Sequence, residues 1–237
     1  EALTAMIIMA ISTGTTITMT DTTALLRLMS WLSPVFSTGG FAYSAGLEQA
    51  VADGLVSNSD DLFEWVSTQL AHGSLWNDAL FFAEAHRCGV AGEPLEELTE
   101  LALAMAMASE RLAETKEQGT SFLKAAAHWI SSEKLPPRET PLPIAVGFAA
   151  GLEAIPLEQA LSAYLHAFAS SQLQCAIRLS VTGQEGAARA LAALESVIAA
   201  TAARAAASSL EDLGTSAFLA DIAAMRHETL QPRLFKS

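Results

Sequence analysis

The sequence predicts an all-α protein, a single-domain helical bundle, on three observations. Apolar residues make up 51% of the 237 positions and charged residues 16%, and much of the apolar excess is alanine, which loses no side-chain entropy in a helix. Apolar positions recur at three- and four-residue intervals through successive windows punctuated by Gly and Pro. Nowhere does apolar and polar character alternate for long enough to argue for a half-buried strand. No break in composition divides the chain, so one domain is expected over residues 21–237, preceded by a disordered extension (1–20) and closed by a flexible C-terminal tail (226–237).

Taken in order, Asp21 and Thr22 are expected to cap a first helix carrying Leu25, Leu28, Met29 and Leu32, which Ser33-Pro34 ends. Gly39-Gly40 then frees the backbone for positive φ, and helix is expected to resume from Tyr43 to Ala52 and stop at Gly54. Asp61 followed by Glu64 reads as a capping box for a helix with Leu62, Trp65, Val66, Gln69 and Leu70. Another helix follows Gly73 with Leu75, Ala79, Phe82 and His86. Pro94 suits a first helical turn, and Leu95 to Ile130 reads as one long or two stacked helices, with Gly119 as a break or a close contact. Pro136, Pro137, Pro141 and Pro143 mark a rigid connector. Leu157, Leu161, Tyr164, Leu165 and Phe168 form one face of a long helix, and Gly183 and Gly186 bracket the turn into an alanine-rich helix from Ala187 to about Ala207.

Composition and motifs exclude several function classes. Thirteen basic against twenty-six acidic side chains give a net charge of −13, which repels phosphate backbones and anionic membrane surfaces, so neither nucleic acid nor a membrane is expected as a partner. The apolar run from Met6 to Ile11 has no basic residue before it and falls far short of the roughly 20 residues that span a bilayer. Met19 is an alternative start. Cys88 and Cys175 form no CxxC pair or disulfide framework, which fits a reducing cytoplasm. A phosphate loop of the GxxxxGK[ST] kind is missing, and Gly183-Gln184-Glu185-Gly186 reads as a helix connector. His72, His86, His128, His166 and His227 are dispersed and read as polar surface or capping groups, so no metal site or directly bound cofactor is expected. The acidic stretches 93–100 and 110–117 read as solvated helix faces, and no serine lies in a GxSxG elbow.

Two segments break the helical pattern. From Ser33 to Glu48 the sequence SPVFSTGGFAYSAGLE mixes aromatic, small and glycine residues without helical spacing. It is either a tight interhelical turn with Phe41 and Tyr43 packed inward or a surface of specific shape. The last twelve residues carry Arg226, Arg233 and Lys236 against one Glu, a local basic excess on an acidic chain. A frayed terminus is one reading. Against it, Leu234 and Phe235 are costly groups to leave in water, at about 1.5–3 kcal/mol each.

These same segments resemble the urease accessory protein UreF family. Ser33, Pro34, Gly39, Gly40, Phe41, Tyr43, Ser44, Gly46 and Glu48 look like its N-terminal signature, and His227, Glu228 and Arg233-Leu234-Phe235-Lys236-Ser237 like its terminal one. Gln118-Gly119, the stretch from Pro143 to Gly151 and that from Ala176 to Gly183 match between them, so the likeness runs from about Leu25 to Ser237. The chain departs from the pattern at Phe36, Ala42 and Lys236, and a Lys cannot form the bidentate fork of an Arg. The resemblance implies an all-helical, dimeric, non-enzymatic scaffold. It implies a complex with an accessory protein called UreD or UreH and with the GTPase UreG, acting on apo-urease, in which GTP hydrolysis by UreG accompanies nickel insertion. Nickel and GTP are then handled by the partners. It further implies that the tail becomes ordered on binding UreD/UreH, and that Tyr43 and Arg233 recruit the GTPase.

Two other readings compete with the scaffold. A chain that itself carries nickel would bind the ion tightly in equilibrium dialysis. An unrecognised helical enzyme would need a buried pair of perturbed carboxylates, which a sequence does not display.

Overall fold

The computed structural model describes residues 19–36 and 38–237. These form ten α-helices and two short 3-10 turns, with no strand among the described residues. The helices are α1 (Met19–Trp31), α2 (Leu47–Ala52), α3 (Ser59–His72), α4 (Ser74–Ala91), α5 (Glu96–Ala104), α6 (Ser109–Ala126), α7 (Leu142–Leu152), α8 (Leu157–Arg178), α9 (Gln184–Ala207) and α10 (Phe218–His227). The expectation for residues 1–18 lies outside the described residues. Met19 and Thr20, assigned to that extension by the sequence reading, instead open α1, and Asp21 and Thr22 fall inside its first turn rather than capping it.

At the centre α4 packs against α7, and their backbones touch because Gly147 and Gly151 face them at helical spacing. A Cβ on Gly147 would lie 2.3 Å from the Phe82 carbonyl oxygen, and one on Gly151 2.2 Å from that of His86. Around this pair α8 packs on α9, α3 on α9, α6 on α7, and α10 on α2. The main core buries Trp31, Phe82, Phe122, Leu161 and Leu165 completely or nearly so, and a smaller cluster of Phe81, Ile144, Phe148, Leu95 and Leu98 seats α5. By length and composition α9 alone among the described residues could cross a bilayer. It buries Leu194, Ile198, Ala202 and Ala205 in the bundle, and its outer face is largely alanine.

Several boundaries differ from the sequence reading, each for a local reason. Helix resumes at Leu47, not Tyr43, because Ala45 and Gly46 both take positive φ, and Tyr43 is extended. The cap of α3 is Asn58, whose side chain accepts from the Asp60 and Asp61 N–H groups, while the Asp61 carboxylate reaches back to the N–H of Ser57. That cap lies three residues earlier than expected. Pro94 precedes the Leu95 cap instead of sitting in the helix. The stretch from Leu95 to Ile130 holds two helices, and Gly119 is a close contact within α6: a Cβ there would lie 2.0 Å from the Thr140 carbonyl oxygen. Pro143 belongs to the first turn of α7, where no N–H is needed, so the connector ends at Pro141. The tail, expected to be flexible, is docked on the body, with Phe235 only 3% exposed.

Candidate partner-binding site

The docked tail is held by the segment between the end of α1 and the start of α2. Positive φ at Gly39, +75°, turns the chain into a 3-10 turn over Gly40–Ala42, and Gly40 itself has ordinary φ. Ala42 at the end of that turn and Ser44, beyond the extended Tyr43, then offer backbone groups to the tail. The Lys236 N–H donates to the Ala42 carbonyl at 2.7 Å, and the Ser44 N–H and hydroxyl both donate to the Ser237 carbonyl oxygen. Gly46 has φ +82°, and a Cβ there would lie 2.9 Å from the Ala224 nitrogen, so only glycine lets α10 settle onto the start of α2.

Glu48 anchors this junction. Its buried carboxylate accepts from the Leu234 N–H at 2.6 Å, the Phe235 N–H at 2.9 Å and Nε2 of His227 at 3.1 Å. Burial acts to raise its pKa, but the bonds from His227 and the two tail amides outweigh it and hold the carboxyl below the usual glutamate value. His227 is fully buried, and its Nδ1 lies 2.7 Å from Glu110. Phe235 fills a site beneath Arg178, whose guanidinium carbon stands 4.2 Å from the ring centroid while Nη1 donates to the Phe41 carbonyl at 2.7 Å.

The other side of the site is α6. Arg233 donates to Glu110, Ser237 Oγ lies 3.4 Å from Glu114, and Tyr43 and Lys236 both donate to Glu117. Glu110, Glu114 and Glu117 lie at i, i+4 and i+7, one helix face. The Glu117 carboxyl is held low by the Tyr43 hydroxyl and then by Lys236, and the Tyr43 phenol is pushed up by burial and by Glu117. Glu114, deep in the bundle, is pushed up by burial and partly held down by Arg111, which also pairs with Asp78.

The structure therefore brings Tyr43, Ser44, Glu48, His227, Arg233, Phe235 and Lys236 into one network. Arg233 and Tyr43 do not touch; they bind α6 carboxylates two turns apart, about 10 Å along the axis. Phe41 (74% exposed) and Leu234 (55%) stand outward beside Arg233 and Lys236. The remaining signature residues serve elsewhere: Ser33 bonds back to Ser30 at the end of α1, Pro34 is exposed, and Glu228 accepts from Ser109 on α6 at 2.8 Å. Two expectations are corrected here. The stretch 110–117 is not simply a solvated face, and neither His227 nor His86 is a surface group: His86 is buried on the Ile155 carbonyl, its pKa lowered by burial. Spacing alone could have shown the three Glu on one face. Arg178, which donates to Phe41, lies in the stretch from Ala176 to Gly183 that carries the resemblance but was given no role there, and Cys175, which donates to Tyr43, carried no signal. Among the described residues no group of three or more His, Cys, Asp or Glu side chains is placed to hold a metal ion.

The UreF family model matches residues 56–195, the helical body between the two irregular segments. The chain belongs to the UreF family. A urease accessory protein UreF of Brucella ovis is 54% identical over 225 residues, covering 94% of this chain and 98% of that protein. UreF proteins of Rhizobium etli and Agrobacterium fabrum are 50% and 49% identical, each covering 90% of this chain and 96% of the relative. Coverage of 94% extends well beyond the 140 residues that the UreF model matches.

Proposed function

We propose that the chain is a non-enzymatic scaffold for urease maturation in the cytoplasm. In this reading it joins a UreD/UreH protein and the GTPase UreG, and the complex inserts nickel into apo-urease while UreG hydrolyses GTP. Membership of a family whose relatives are named urease accessory proteins supports the coarse assignment. The observation that carries the finer one is the docked tail. Glu48 and the α6 carboxylates hold Arg233 and Lys236 in fixed positions beside exposed Phe41 and Leu234. An arginine and apolar groups fixed in advance lose little freedom on binding, which is what a protein-recruiting surface requires. Nickel and GTP are assigned to the partners.

The chain also acts as a homodimer in this reading. A groove of about 900 Å³ between α1, α8 and α9 has Leu25, Leu28, Met29 and Leu32 on one wall and Ala163, Ala167 and Ile198 on the other, and is the surface best suited to a second copy. Co-purification with UreD/UreH and UreG, with and without GTP, tests the assignment. A ternary complex is expected; failure of the purified proteins to associate under any nucleotide condition would refute it.

A further inference from the structure

Trp129 is a large aromatic side chain left 43% exposed, yet it is firmly held. Its backbone N–H closes onto the Ala126 carbonyl at the end of α6, and the next residue, Ile130, is buried in the core. The indole rests against Phe36, 5.7 Å between ring centroids, and against the Arg27 guanidinium, which stands 5.9 Å from its ring and 5.7 Å from that of Trp31. Val35, next to Phe36 in the chain, is 89% exposed and gains little from the bundle, because hydrophobic stabilisation scales with the area buried. Arg27 and Trp31, one turn apart on α1, each keep a buried donor with no acceptor among the described residues: Nη1 of Arg27, whose Nη2 pairs with Glu153 at 3.1 Å, and Nε1 of Trp31. The charge at this corner also differs from that of the rest of the chain. Within residues 120–139, Lys124, Lys134 and Arg138 are exposed and have no carboxylate partner among the described residues, Glu139 is taken by Lys116, and Glu133 alone opposes them, on a chain of net charge −13.

We propose that Trp129 and Val35 anchor a docking surface for a protein partner that presents an apolar socket ringed by carboxylates. An aromatic anchor inside a polar rim is the usual make-up of an interface hot spot, and a side chain already held in place loses little freedom on binding. The three unpaired cations select an acidic rim. An acceptor from the partner set against Arg27 would satisfy the donor that the bundle leaves unbonded. A second copy is disfavoured, because a two-fold contact at this corner would set Lys124, Lys134 and Arg138 against themselves. The surface is also separate from those described above. Trp129 lies just past the C-terminal end of α6, about 25 Å along the axis from Glu110, where the tail docks. Arg27 and Trp31 occupy a different face of α1 from Leu25, Met29 and Leu32 of the groove. The inference rests on the reading that the chain works in a complex on apo-urease, and it assigns this corner to that client rather than to the other accessory proteins.

The test uses the full chain assembled with UreD/UreH and UreG, and purified apo-urease as the probe. Circular dichroism, formation of the accessory complex and its affinity for apo-urease at low and high salt are the readouts. Trp129→Ala, and separately Lys124→Glu combined with Lys134→Glu, are expected to keep the helical fold and the accessory complex while weakening apo-urease binding at least tenfold. Added salt should weaken wild-type binding and affect the charge-reversed variant much less. Should Trp129→Ala disturb the fold, the charge-reversed variant decides alone, since both of its side chains are exposed and unpaired. Wild-type affinity for apo-urease in either folded variant, or loss of the accessory complex in the charge-reversed one, would overturn the inference. Failure of the wild-type complex to bind apo-urease would instead remove the functional reading beneath it.

Discussion

Replacing Glu48 by alanine removes the acceptor of two consecutive tail amides and one partner of a fully buried histidine. Hydrogen bonds to a charged acceptor contribute about 1.5–3 kcal/mol each, so the two amide bonds account for roughly 3–6 kcal/mol of tail docking. Ordering the last five residues costs on the order of 5–10 kcal/mol of backbone entropy. Burying Phe235 returns only about 1.5–3 kcal/mol of that. The Lys236 N–H bond to Ala42, the Ser44 bonds to Ser237 and the Arg178 contact with Phe235 add to the favourable side, so the tail is docked by a few kcal/mol, comparable to the Glu48 contribution, and loss of the Glu48 bonds tips it toward release. Hydrogen exchange reads this directly: the Leu234 and Phe235 amides of Glu48→Ala should exchange at least about 100-fold faster, since 1.4 kcal/mol is tenfold, while amides of α4 and α7 keep their protection. Glu48→Gln keeps one acceptor oxygen and should fall between. Unchanged protection at Phe235 in Glu48→Ala would refute the argument that this carboxylate holds the tail.

Further outcomes follow from the same geometry. The Glu48 carboxyl titrates below its ordinary value of 4.5, so its contribution to docking is complete above about that pH and is lost as the pH falls through the lower folded value; tail protection should be flat from pH 6 to 8 and decline only below 4.5. Gly46→Ala forces a methyl against the Ala224 backbone at positive φ and should cost about 2–4 kcal/mol in denaturant unfolding, whereas Gly40→Ala meets nothing closer than 3.7 Å and should cost under about 1 kcal/mol. Cys175 is buried with its thiol pushed up to about 12, and Cys88 is also raised by burial, so iodoacetamide at neutral pH should label neither until denaturant is added.

The helical class, the single body and most helix positions were legible because apolar spacing and Gly/Pro punctuation report them directly. The pattern failed where a backbone choice outranked periodicity. Helix was expected to resume at Tyr43, yet positive φ at Ala45 and Gly46 delays it to Leu47. Pro143 looks like a connector and is a helix start, because a missing N–H costs nothing in a first turn. α10 was missed although Phe218, Leu219, Ile222 and Met225 have helical spacing in the sequence; the structure places these residues outward rather than in the core. Both irregular segments were visible as departures from helix. Their meeting was not, since Glu48 and Leu234 are 186 residues apart and the carboxylates of α6 resemble any solvated face until the tail is placed on them.

Arg233 gives the central claim its most direct test. Its side chain is 39% exposed and paired with Glu110, which His227 also engages, so Arg233→Ala should leave the helical fold, the docked Phe235 and UreD/UreH binding intact. If Arg233 is part of the recruiting surface, UreG affinity measured with UreD/UreH present should fall by roughly 2 kcal/mol or more, about 30-fold. Wild-type UreG affinity in Arg233→Ala would contradict the account.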